Sequence, residues 1–163
     1  MTKRFGNESN GFTINCEKLR ESSAEIFAKI FIEICQEIIG DFNANCHAGA
    51  IIHSANIFLK HKGNRQLPNF NERELFEYLN LNIYGANWRF GLSNDFSARF
   101  CVHEIFDVSV GDGGWLIFLI DKEKESIVLT GTRDKGFNSS MIVPVNYLEQ
   151  TIQELIGWLS RPD

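Results

Sequence analysis

The chain has no apolar stretch approaching the roughly 18 residues a membrane-crossing helix needs, which excludes a helical span. It has no surplus of positive charge: 16 Lys and Arg stand against 21 Asp and Glu, for a formal charge of -5. A phosphate backbone is therefore not expected as its main partner, since that binding draws on clustered Lys and Arg. Its cysteines are few and unpaired in spacing. Cys16, Cys35, Cys46 and Cys101 form no C-x-x-C, and the histidines His47, His53, His61 and His103 form no H-x₃-H, so neither a structural zinc nor any other metal is expected. Neither G-x-G-x-x-G, a Walker loop nor a G-x-S-x-G elbow occurs. Repeats and low-complexity tracts are missing as well. The N-terminal Met1 to Glu8 has no apolar run after its basic pair, so no secretory signal is read there, and a reducing cytoplasm is the expected compartment.

What is present is enough for one ordinary domain. The 163 residues are 44% hydrophobic and include 14 Phe, so a sizeable core is available without a staple. Charge is unevenly placed. Residues 1–103 carry 11 acidic and 11 basic side chains, whereas 104–163 carry 10 and 5, so the whole negative surplus lies in the last third. That bias suits a basic protein partner or a soluble surface.

Residues 1–15, rich in Gly and Asn, read as an irregular lead-in with a short strand at Phe12 to Ile14. Ser22 and Glu25 have capping-box spacing, and Ile26, Phe27, Ile30, Phe31, Ile34, Ile38 and Ile39 follow at three- and four-residue intervals. The expectation is a helix over 22–39, with Cys35 inside it. Ile51 to Leu59 reads as a strand or a short helix, the strand being favoured. The stretch 61–70 reads as a polar connector. Asn71 and Glu74 open a second helix, fraying near Asn80 or Asn82. Tyr84 to Leu92 reads as a strand or ordered loop, and Phe96 to Val110 as one long strand or two short ones. Trp115 to Ile120 is a continuous apolar strand covered on both faces, with a turn at Asp121 to Glu125 and a return strand at Ser126 to Thr130. A polar loop over 131–140 and a short strand at Met141 to Val143 follow. Asn146 and Glu149 form a third box opening a helix over 146–160. The fold class is α+β: a single domain, with a mixed or antiparallel sheet of about four to six strands and helices packed on it.

No residue pattern identifies a catalytic centre or a cofactor site. Cys101 and His103 share a face if they lie on a strand, but Glu104 then alternates away and the acids Glu104, Asp107 and Asp112 are split. Gly111-Asp112-Gly113-Gly114 precedes a strand instead of opening a helix, so it reads as a tight turn into Trp115 and not as a phosphate cradle. Binding has more support. Asp107, Asp112, Asp121, Glu123, Glu125 and Asp134 sit on turns where carboxylates can steer a basic partner, and Trp88 is a candidate aromatic anchor. Trp115 is a second candidate that also fits a core position. The 121–125 run fits a solvated hairpin tip equally well.

The layout of the C-terminal half supplies one further lead. Trp115 to Ile120, the charged turn 121–125, Ile127 to Leu129, and Val143-Pro144-Val145-Asn146-Tyr147-Leu148-Glu149 leading into a closing helix resemble the small acidic immunity proteins that bacteria encode beside contact-dependent or polymorphic toxins. The resemblance implies a cytoplasmic, non-catalytic protein without a cofactor. Such a protein binds one cognate toxin domain, commonly a basic nuclease, and blocks its active site, with no direct contact to nucleic acid or membrane. The alternatives are another bacterial protein-binding or regulatory module, or a small enzyme using His103 with Cys101 or nearby carboxylates.

Overall fold

The computed structural model describes residues 1–20, 26–85 and 94–161. Among the described residues, two antiparallel sheets and four α-helices make up one α+β domain, in agreement with the expected class. The first sheet holds β1 (Thr2–Asn7), β2 (Phe12–Arg20), β3 (Ile26–Ile34) and β4 (Glu37–Ile39) in sequential order, and a short β5 (Cys46–His47) shares β3's outer edge. α1 (Ala48–Leu59) and α2 (Glu72–Tyr84) follow, then α3 (Asn94–Phe100), a 3₁₀ turn over His103–Phe106 and a π turn over Asp107–Gly111. The second sheet is a meander of β6 (Trp115–Asp121), β7 (Glu125–Thr132) and β8 (Gly136–Pro144), after which α4 (Tyr147–Leu159) closes the chain.

The second half matches its sequence pattern. β6 buries apolar side chains on both faces. Ile117 and Leu119 enter a core shared with the first sheet, α1 and α4, while Leu116, Phe118 and Ile120 enter a second core under α2. The Asn71 box closes reciprocally with Glu74 at 3.0 Å each way, and the helix it opens runs on to Tyr84, past the expected fraying point. Gly131 lets α2 approach β7, because a Cβ there would lie 2.3 Å from the Phe76 ring. The loop expected over 131–140 is mostly strand: β7 reaches Thr132 and β8 starts at Gly136. At α4 the third box does not form. Asn146 is left-handed at φ 64° with no side-chain cap, and Glu149 turns inward instead.

The N-terminal third corrects the sequence reading. The expected lead-in is a hairpin of β1 and β2, paired from Thr2–Glu17 to Asn7–Phe12. The expected helix over 22–39 is, among the described residues, two strands: β3 and β4 are joined by a turn in which Cys35 and Gln36 take φ of 50° and 70°. The physical reason is that Ile26, Ile30, Ile34 and Ile38, spaced by four, satisfy a period of two as well as a helical one. β-branched crowding then favours the extended chain, and Ala28, Ile30, Ile32 and Ile34 alternate inward. Phe31 consequently faces outward against Phe42, with ring centroids 5.1 Å apart, and Cys35 is exposed. Ser22 and Glu25 lie outside the described residues. The favoured strand at 51–59 is α1, which buries Ile51, Ala55 and Phe58 at helical intervals. The 96–110 stretch, expected as strand, is helical turns apart from a single bridge between Cys101 and Phe118.

Candidate functional site

Two buried polar clusters stand out. The first centres on Arg65, which sits in the polar connector yet is 0% exposed. Its guanidinium lies 4.1 Å from the Phe58 ring centroid and donates to Glu149 Oε1, the Phe58 carbonyl and the Arg99 carbonyl, each at 2.7 Å. Asp121 Oδ2 lies 3.9 Å from the same guanidinium, and the Asp121 amide donates to the Arg65 carbonyl at 3.1 Å. Burial pulls the Arg65 pKa down while the Glu149 and Asp121 carboxylates push it back. The cluster ties α1, α3, α4 and β6 together.

The second cluster lies where the chain 101–104 covers the open edge of β6. The Val102 amide donates to the Ile117 carbonyl at 2.9 Å, and the Ile117 amide donates to His103 Nδ1 at 2.9 Å, so an imidazole completes the ladder. With Nδ1 accepting, Nε2 carries the proton and donates to Tyr84 Oη at 2.6 Å; Tyr84 in turn donates to Glu104 Oε1 at 3.3 Å. Ser97 Oγ also donates to Glu104 Oε1 and reaches Cys101 Sγ at 3.6 Å. Burial lowers the His103 pKa to about 4, so the ring is neutral at pH 7. Burial raises the Cys101 thiol first, and Glu104 raises it further; Tyr84 is raised for the same first reason.

The sequence reading that splits Glu104 from His103 is thus corrected. The strand-like stretch puts Cys101 and His103 on one side, and the 3₁₀ turn starting at His103 brings Glu104 round to them, with ligand atoms within 4.8 Å of one another. Beside the trio opens a cavity of about 400 Å³ lined by Tyr84, Cys101, Glu104, Arg133 and residues of α1. A nucleophilic thiol requires a cation to favour its thiolate. Cys101 instead faces a carboxylate and a neutral imidazole, the opposite electrostatic setting.

A family model described as Immunity protein 42 matches residues 1–158. The chain belongs to the Immunity protein 42 family. Among solved structures, this chain is similar to CdiI from Burkholderia dolosa AUO158, with a TM-score of 0.73 and 14% identity over 96% of this chain and 99% of that one. At that identity the likeness concerns the fold. No curated protein sequence matches. The resemblance read from the C-terminal half is therefore met by a family match over nearly the whole length, including the misread N-terminal sheet.

The described acidic residues singled out in the sequence do not converge. Asp112 and Asp134 are exposed on adjacent turns at one end of the second sheet, where the Arg133 amide donates to the Gly114 carbonyl at 3.1 Å. Gly114 also bonds back to Gly111 at 2.9 Å, making the expected tight turn. Glu123 and Glu125 are exposed at the opposite end, a strand length of roughly 20 Å away. Asp121 leaves this set, because it is 8% exposed, accepts from Ser126 Oγ at 3.2 Å and faces Arg65. Asp107 begins the π turn, and its side chain lies outside the described set, as does all of Trp88. Trp115 packs against the main core. Sequence reasoning missed the exposed aromatic pair Phe70 and Tyr78, with centroids 6.1 Å apart, and missed Arg65 and Tyr84 altogether. The signal for Arg65 was weak: a lone Arg in a polar connector looks solvated until the helices around it are placed.

No helix among the described residues is long and apolar enough to cross a membrane.

Proposed function

We propose that this protein is a non-catalytic immunity protein of the bacterial cytoplasm that binds one cognate toxin domain and occludes its active site. The family match over residues 1–158 carries this reading. The target we favour is a basic nuclease domain, because the negative surplus of the last third suits a partner selected to hold a phosphate backbone. Of the carboxylates, Asp112 with Asp134 and Glu123 with Glu125 form two separate exposed pairs that one compact toxin domain engages unequally. The raised thiol and neutral imidazole beside the cavity count against the enzyme alternative.

Co-expression with the toxin domain encoded beside the gene tests the proposal. Protection of growth and isolation of a one-to-one complex are the expected results, and failure of both overturns it. Charge reversal then sorts the two ends. Asp112→Lys with Asp134→Lys, or Glu123→Lys with Glu125→Lys, slows association and flattens its salt dependence when that pair rims the interface. Unchanged kinetics in both double variants removes the acidic turns from the interface and, with them, the argument for a basic target.

A further inference from the structure

We propose that Cys101, His103 and Glu104 form a binding site for a thiophilic divalent cation of the zinc type, reached through the cavity beside Tyr84. The donor set is one thiol, one imidazole and one carboxylate, a mixture that suits zinc or cobalt and not the all-oxygen shells of magnesium and calcium. All three ligand atoms lie within 4.8 Å of one another. On a tetrahedral ion they would stand roughly 3.3–3.8 Å apart, so side-chain adjustments of about an ångström complete the triangle.

Three features of the surroundings favour this use. The ligands come from a single short stretch whose backbone is pinned to β6 through Val102 and Ile117, so the triangle is held without help from distant loops. The outer contacts match those that orient metal ligands. Ile117 presents both its amide nitrogen at 2.9 Å and its carbonyl at 3.0 Å to His103 Nδ1, so the ring can donate there and free Nε2 for an ion. Ser97 holds Glu104 in place. Finally, three protein ligands leave a fourth position, and the cavity of about 400 Å³, lined by Cys101 and Glu104, supplies the route and the space for a water there.

The competitor is the Tyr84 hydroxyl, which lies 2.6 Å from His103 Nε2 and 3.3 Å from Glu104 Oε1 and bridges the ligands in the metal-free protein. Tyr84 is the last residue of α2, so releasing its hydroxyl needs a local side-chain swing and no change in the sheet. Ion binding takes the other tautomer of the ring: the proton leaves Nε2 and Nδ1 takes one up to donate to the Ile117 carbonyl, while the thiol gives up its proton to solvent, so one proton is released in all and no oxidant or reductant is involved.

The test is titration of the purified, chelator-treated full chain with cobalt(II), followed by zinc competition. The expected result is one cobalt per chain with thiolate-to-cobalt charge-transfer absorption, displaced by zinc. Cys101→Ser abolishes that absorption, and Glu104→Gln weakens affinity by about tenfold or more. Tyr84→Phe binds as well or better, since it removes the competing hydroxyl; a merely structural cluster predicts no such gain. Absence of the charge-transfer band in the wild-type chain overturns the proposal, and so does a band that survives Cys101→Ser. If Cys101→Ser fails to fold by circular dichroism, the Glu104→Gln and Tyr84→Phe pair decides: equal affinities in wild type and both variants overturn the site.

Discussion

The Arg65 cluster and the His103 cluster are both built from polar side chains in or beside the core, yet one pairs a cation with carboxylates and is sealed while the other holds no cation and opens on a cavity. Arg65 has its cation matched by Glu149 and approached by Asp121, and every neighbour that satisfies it belongs to a different helix or strand. Such a group gains its hydrogen bonds only when all those elements are in place, so it reports on the assembled fold. The His103 cluster satisfies itself from residues near the β6 edge, from Tyr84 at the end of α2 and from Ser97 of α3, through hydrogen bonds with donor and acceptor capacity to spare. The lesson is that burial alone does not mark a site. Access and exchangeable hydrogen bonds do.

The strongest way to break this comparison is to remove the Arg65 charge. Arg65→Ala leaves Glu149 and Asp121 buried without their cation and should cost about 3–5 kcal/mol in denaturant unfolding. Replacing all three together, as Arg65→Met with Glu149→Leu and Asp121→Asn, should recover much of that loss; equal losses in the single and triple variants would show that packing, not charge, is the cause.

Next in size is the acid response of the His103 cluster in chelator-treated protein. The folded pKa of His103 is held near 4, below the unfolded value of about 6.5, so the unfolded chain takes up a proton first as pH falls. Stability from this group is therefore complete above about pH 6.5 and declines toward pH 4, by up to about 3 kcal/mol. His103→Gln should flatten that slope in chemical denaturation measured across this window. Tyr84→Phe should cost less, about 1–2 kcal/mol, because it removes two hydrogen bonds beside a cavity that can admit water. The smallest effect is expected at the hairpin tip: Glu123→Lys with Glu125→Lys should change the unfolding midpoint by no more than about 0.5 kcal/mol equivalent, since both side chains are exposed. A larger loss would place these carboxylates in a structural role.

How much was legible in the sequence divides along the chain. The β6–β7 hairpin and the Asn71 box were readable because each rests on near neighbours: a run of apolar residues too short for anything but a buried strand, a charged turn, and two polar side chains three residues apart. The alternation in β3 was not, because isoleucines at intervals of four serve either period, and the pairing of β3 with β2 from Phe12–Ile34 to Arg20–Ile26 is a contact between segments that local pattern does not encode. Glu149 shows the same limit from the other side. Its spacing from Asn146 suggested a cap, but the buried Arg65 guanidinium across the core offered a stronger partner than the helix end.

By itself the sequence determined the negative surplus of the last third, the absence of a membrane-length apolar helix, an α+β composition and the second sheet's central hairpin. Tertiary structure alone decided that Asp121 faces inward, that the acidic turns divide between two ends of a sheet, and that Glu104 joins Cys101 and His103 at a cavity. The physical reason is range. Composition and periodicity act over a few residues, whereas the partner that wins a buried polar group is the one the folded chain brings within 3 Å, whatever its distance along the sequence.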